Sequence, residues 1–177
     1  MKFLIVYGTT EGQTRKIVQA IVKQLENRGH EAKAFDSDRR MADLEITTFD
    51  AAILAGSVHE QRHQETFTNF VIAHRQQLRE LPTLLISVSL SIAFKDGKSE
   101  AQRYVDNFQA YTEFNPKRVS LVAGALRYKE YDYFMSQIIE HVVLGDREQI
   151  REDREFTDWT ALECDVDAFV DLVAGTA

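Results

Sequence analysis

The chain has 177 residues, 44% hydrophobic and 28% charged, with a formal net charge of −7 and one cysteine, Cys164. This length suits one ordinary domain with its own apolar core, so a single domain over residues 1–177 is expected. The acidic balance, with no compact Lys/Arg stripe, argues against nucleic-acid binding; a lone cysteine excludes an intrachain disulfide, and no run approaches the roughly 18 apolar residues that span a bilayer.

Residues 2–7 form a near-continuous run of β-formers, the pattern of a strand buried on both faces of a parallel sheet. Met1-Lys2 leads straight into it, without the length or cleavage site of a signal peptide, which predicts a cytoplasmic protein. Gly8 to Gly12 break the run. Ile17, Ala20, Ile21 and Leu25 then recur at helical spacing through residue 28, and Gly29 is the stop signal. Residues 31–35 read as a short strand and 51–56 as a buried one. Phe67, Phe70, Val71, His74 and Leu78 mark a second helix before the turn at Pro82. Residues 83–89 predict a fourth strand, 100–111 a helix with Ala101, Tyr104, Val105 and Phe108 on one face, and 119–124 a fifth strand.

Two further segments keep helical spacing, residues 131–143 and the stretch from Trp159 through Leu162, Val166 and Phe169 to Val173. Residues 145–155 between them read as an exposed connection. For residues 131–143 the alternatives are packing on the sheet and shallow membrane contact through Tyr131, Phe134, Ile138 and Ile139. Strands alternating with helices predict an α/β fold, a doubly wound parallel sheet of five strands.

The most informative segment is Ile5-Val6-Tyr7-Gly8-Thr9-Thr10-Glu11-Gly12-Gln13-Thr14. It joins the carboxyl end of a strand to a helix N-terminus, where backbone N–H groups and the helix dipole attract an anion. Thr9, Thr10 and Thr14 add hydroxyls, while Gly8 and Gly12 let the backbone turn and approach a phosphate closely. The loop holds no lysine, which argues against a nucleotide-hydrolysing P-loop. It also lacks the three-glycine dinucleotide spacing, although Asp36 could serve as a ribose-binding acid. A terminal monophosphate held by neutral donors fits, against the plainer alternative of a polar turn capped by Thr10 or Thr14.

His59-Glu60-Gln61-Arg62-His63 spells the H-E-x-x-H of zinc proteases, whose chemistry requires one continuous helix through both histidines. Residues 51–58 instead read as a strand turning at Gly56-Ser57, so no metal site is expected.

The phosphate-loop segment resembles the signature of the flavodoxins, carriers of flavin mononucleotide (FMN), at every position. The resemblance implies a three-layer sandwich with strand order 2-1-3-4-5. It implies FMN held noncovalently by Thr9, Thr10, Glu11, Gly12, Gln13 and Thr14, by Ser57, Val58 and His59 after the third strand, and by Ser89, Leu90 and Ser91 after the fourth. Gly124 and Ala125, after the fifth, complete the expected contacts.

Over nearly its whole length the chain is similar to the bacterial menaquinone-dependent protoporphyrinogen oxidases of haem biosynthesis. The likeness is carried by Thr9, Gly12-Gln13-Thr14-Arg15, Gly56-Ser57, Ser87-Val88-Ser89-Leu90, Ala123-Gly124-Ala125-Leu126-Arg127-Tyr128, Phe134-Met135 and Phe156-Thr157-Asp158-Trp159. It implies FMN-dependent oxidation of protoporphyrinogen IX with a quinone as acceptor. Arg127 and Tyr128 would then border the flavin ring or the porphyrin propionates, against the alternatives of a surface ion pair and a packed ring. His59 is the candidate for proton transfer, against a loop histidine with no chemistry. The competing readings are an FMN electron carrier or quinone-related flavoprotein without porphyrin activity, and an interaction module of this fold that has lost its cofactor. Peripheral membrane contact and a homo-oligomer stay open.

Overall fold

In the computed structural model, which describes residues 1–39, 44–126 and 153–175, the chain runs β1 (Lys2–Gly8), α1 (Gln13–Asn27), β2 (Glu31–Asp36), β3 (Ala51–His59), β4 (Arg62–His63) and α2 (Glu65–Arg79). It continues through β5 (Thr83–Ser89), α3 (Gly97–Thr112), β6 (Arg118–Ala123), β7 (Ala125–Leu126), β8 (Arg154–Glu155) and α4 (Trp159–Ala174). Five parallel strands form the main sheet in the order β2-β1-β3-β5-β6. With the short β4 set aside this is 2-1-3-4-5, as the resemblance implied. Tyr7 lies opposite both Asp36 and Ala55, Gly56 opposite Ser87, and Ser89 opposite Ala123, so the carboxyl ends of the central strands are brought level.

Strand β1 shows why the order holds. Phe3 and Ile5 enter one core with Ile17, Ile21 and Leu25 of α1 and Val166 and Phe169 of α4. Leu4 and Val6, one residue out of phase, enter the other with Phe67 and Val71 of α2 and Val105 and Phe108 of α3. All four strand side chains are fully buried, and each such burial is worth about 1.5–3 kcal/mol. Helices on both faces are what turn a period-two strand into an unbroken apolar run.

Strand β3 continues to His59, three residues past the predicted end at Gly56. It then folds back on itself, pairing Val58 with His63 and His59 with Arg62 in antiparallel register. Glu60 and Gln61 make the turn at φ of 48° and 65°, the left-handed pair that a two-residue hairpin requires. H-E-x-x-H is therefore a hairpin, and α2 begins only at Glu65. Neighbouring strand residues face opposite ways, so the His59 and His63 rings leave opposite faces of the hairpin and cannot share a metal. Among the described residues no cluster of His, Cys, Asp or Glu is placed to hold one.

His63 is buried, with Nε2 3.0 Å from Ser87 Oγ. Its ring centroid lies 4.7 Å from that of Phe108 and 6.2 Å from that of Phe67. Gly56 makes the room: a Cβ there would stand 2.7 Å from Phe67 Cε1 and 2.9 Å from His63 Cδ2, closer than packed atoms allow.

At the C-terminal side, residues 154 and 155, expected in an exposed connection, form β8 and pair with β7, Ala125 opposite Glu155 and Leu126 opposite Arg154. The predicted helix over 131–143 and the candidates Arg127 and Tyr128 lie outside the described residues. Helix α4 is capped by Asp158, whose Oδ1 accepts the Ala161 N–H at 2.9 Å. It is tied to α1 by Arg28, which reaches Asp167 and Asp171 at 2.8 and 2.7 Å. Among the described residues no helix is long and apolar enough to cross a membrane.

Burial lowers the His63 pKa from 6.5 to about 4, which makes stability depend on pH. The unfolded chain takes up a proton as pH falls below 6.5 and the folded chain resists until about 4, so this contribution is complete above pH 6.5 and drains away through that window. The full difference is roughly 3 kcal/mol. Urea unfolding across this pH range is expected to show the loss in the wild type and a flatter profile in His63→Gln; parallel profiles would contradict the assignment.

Candidate functional site

A cleft opens at the carboxyl ends of β1, β3, β5 and β6. It is lined by Thr9, Thr10, Glu11, Gln13 and Thr14, by Ser57, Val58 and His59, by Val88, Ser89 and Leu90, and by Gly124 and Ala125. The site spans the point where strand order reverses between β1 and β3, where adjacent loops diverge and leave a crevice.

The first loop is shaped by Gly12, the N-cap of α1, at φ 87°. A side chain at that angle would be strained. Gly12 donates its N–H to Thr9 Oγ1 at 2.9 Å, and its carbonyl accepts the first helical bond from Lys16 N–H at 3.1 Å. Among the described residues no side chain caps the helix, and its first turn carries no acidic residue. The leading N–H groups, which have no partner within a helix, give this end of α1 a partial positive charge. Neither Thr10 nor Thr14 acts as the cap: Thr10 Oγ1 instead accepts from Gln64 Nε2 at 3.0 Å.

Three hydroxyls in the cleft lining, Thr14 Oγ1, Ser57 Oγ and Ser89 Oγ, are buried without a hydrogen-bond partner among the described residues, as is Gln13 Oε1. A buried polar atom left unsatisfied costs about 1–3 kcal/mol. Four in one crevice offer a ligand polar atoms to pair with. The donor set of neutral hydroxyls and an uncapped helix start fits a phosphate-bearing, polar-chained group, and the apolar Val58, Val88 and Leu90 fit a flat ring.

Most of the residues expected from sequence meet here; of the described ones, Gly12 and Ser91 are not in the lining. Ser91 is drawn away from the cleft, because its hydroxyl donates to Glu100 Oε2 at 2.9 Å and lies 3.5 Å from Tyr104 Oη on α3. Asp36, considered as a ribose-binding acid, is engaged by Arg15 Nη2 at 3.0 Å and by the Asp38 N–H at 3.1 Å. The Arg15 guanidinium is held above its ordinary pKa by the Tyr7 hydroxyl first and Asp36 second.

Sequence reasoning did not assign a role to Val88, to Gln64 or to the C-terminal segment that bonds Gln13 and Gly124 beside the cleft. There, Gln13 Nε2 donates to Thr157 Oγ1 at 2.9 Å and Thr157 Oγ1 donates to the Ala123 carbonyl at 2.8 Å. The Phe156 N–H donates to the Gly124 carbonyl at 3.0 Å. Glu155 accepts from Lys16 Nζ at 2.6 Å and from Trp159 Nε1 at 2.8 Å, and Lys16 stands 5.2 Å over the Trp159 ring. Lys16, then Trp159 and Gln13, hold the Glu155 carboxyl below the usual range against its partial burial.

Residues 4–152 match the family described as the flavodoxin domain. The chain is 30% identical over 164 residues to the Escherichia coli K12 protein named protoporphyrinogen IX dehydrogenase [quinone], covering 90% of this chain and 89% of that one. A Leishmania major protein of the same name is 25% identical over 164 residues, covering 91% and 71%. Among solved structures, the Streptococcus pneumoniae TIGR4 flavodoxin superposes with a TM-score of 0.56 at 11% identity over 100% of both chains. A cysteine-to-serine mutant of the Pseudomonas aeruginosa flavodoxin gives 0.53 at 16% identity over 79% and 92%. At such identities the solved structures speak to fold alone. Strand order, loop and family match agree: the chain belongs to the flavodoxin domain family, with the Escherichia coli protoporphyrinogen IX dehydrogenase [quinone] as a relative across most of its length.

Proposed function

We propose that this chain is one flavodoxin-like domain that binds FMN in the cleft and oxidises protoporphyrinogen IX to protoporphyrin IX, with a quinone as electron acceptor. The observation that carries the cofactor is the set of hydroxyls left unsatisfied among the described residues, Ser57 and Ser89 on two adjacent strand ends and Thr14 in the uncapped first turn of α1. The substrate rests on the named relatives.

The N–H groups at the start of α1 and the Thr14 hydroxyl would hold the 5′-phosphate, and Thr9 keeps Gly12 in its turn. Ser57 and Ser89 offer hydroxyls to the polar chain or ring edge, and Val58, Val88 and Leu90 keep water from the ring. Bound FMN supplies the two-electron redox chemistry, accepting hydride equivalents and passing electrons on. His59, in the cleft lining, is assigned the proton transfer in this reading. Arg127 and Tyr128 are assigned to the propionates or ring edge on the likeness alone, because a guanidinium pairs well with carboxylates. Repeated two-electron cycles, each reducing one quinone to its quinol, aromatise the macrocycle. A quinone is lipid-soluble, so a cytoplasmic protein would deliver electrons at the membrane surface.

A second reading is an FMN electron carrier or quinone-related flavoprotein without porphyrin activity. It is favoured by a lining that, among the described residues, holds no Tyr, Trp or Phe to stack on a flavin.

Thr14→Val removes one donor at nearly constant volume. A hydrogen bond to a charged group is worth about 1.5–3 kcal/mol, so FMN affinity is expected to fall about ten- to a hundredfold in a fluorescence-quenching titration. An unchanged Kd would reject the phosphate assignment. For the reaction, anaerobic incubation of the flavin-loaded protein with protoporphyrinogen IX and menaquinone should yield porphyrin fluorescence; flavin binding without turnover would select the carrier instead.

A further inference from the structure

The proposed function gives the Phe156-Thr157-Asp158-Trp159 stretch no task. Its position does. Thr157 is buried, and its hydroxyl stands between a β6 carbonyl and a side chain of the phosphate loop.

The direction of this relay is fixed by chemistry. The Ala123 carbonyl can only accept, so Thr157 spends its one proton there. The hydroxyl must then accept from Gln13, which obliges the carboxamide to turn its nitrogen toward Thr157. The Glu155 carboxylate, within reach of the same side chain, also wants the nitrogen. Gln13 Oε1 is thereby directed elsewhere, and it is a buried atom with no partner among the described residues, on a residue that lines the cleft. The neighbouring Phe156 N–H bond to Gly124 and the Glu155 contacts with Lys16 and Trp159 hold the segment in register.

We propose that Thr157 is a positioning residue that locks the Gln13 carboxamide with its oxygen toward the cleft, so that this corner accepts a hydrogen bond from a hydroxyl of the ligand. An acceptor here gives nothing to a phosphate dianion and favours a hydroxylated chain, such as the ribityl chain of a flavin nucleotide. Specificity for the chain is then set from the far end of the sequence, 144 positions from Gln13. The inference rests on the flavin reading for its ligand, but its orientation half can be tested in the free protein.

The test compares the wild type with Thr157→Val, which removes the relay, and Thr157→Ser, which keeps the hydroxyl. Each is titrated with FMN and with an analogue that has an unhydroxylated pentyl chain between ring and phosphate. The wild type and Thr157→Ser should prefer FMN, and Thr157→Val should lose about tenfold of that preference, the scale of one buried hydrogen bond. Equal weakening toward both flavins would mean a purely structural threonine and overturn the proposal, as would no change. In the ligand-free protein, the Gln13 side-chain NH2 protons should exchange slowly in the wild type and Thr157→Ser and much faster in Thr157→Val. Fast exchange in the wild type overturns the lock. A locked Gln13 in a protein that binds neither flavin refutes the functional reading and the ligand half together, leaving the orientation intact. Should Thr157→Val fail to fold, Thr157→Ala serves in the same comparisons.

Discussion

The parallel sheet ends its central strands beside polar atoms that no described residue satisfies, and the rest of the site follows from that constraint. Strands buried on both faces leave only their carboxyl ends open, so Ser57 on β3 and Ser89 on β5 converge with Thr14, in the first turn of α1, in the crevice between diverging loops. Gly12 adds the second ingredient by starting α1 from a left-handed turn with no side-chain cap. Anion attraction at this point comes from peptide dipoles and hydroxyls, without a lysine in the loop.

Two supports keep these groups in place. On one side the β3–β4 hairpin carries Ser57 to His59 into the lining and is anchored by His63, sunk between Ser87 and two phenylalanines. On the other, residues 154–158 return to the sheet beside Gly124 and hold Gln13 and Lys16 of α1. The site thus rests on strand ends and on side chains buried behind them, an arrangement that limits its freedom before a ligand arrives.

The main sheet was legible because its causes are local. The run at Phe3 to Val6, the helical spacing of Ile17, Ile21 and Leu25, and the Gly8 and Gly12 breaks each report burial or backbone geometry directly. The loop between β1 and α1 was legible for the same reason. The hairpin at Val58 to His63 was not, since its turn uses Glu60 and Gln61 at positive φ, where glycine or asparagine would have been the signal. Ser91 stood in the right stretch of sequence, but its partner Glu100 comes from a later helix, and no spacing rule reveals that pairing. Thr157 lay hidden for the corresponding reason: its partners are 144 and 34 positions away, and only the folded chain brings them together.

The central claim is that a phosphate monoester sits against the start of α1 and the Thr14 hydroxyl. Parallel calorimetric titrations with FMN and with riboflavin, which differ only in that phosphate, test it most directly. Binding of FMN far tighter than riboflavin is the expected result. Equal affinities would contradict the account, because the uncapped helix start would then contribute nothing to holding the ligand.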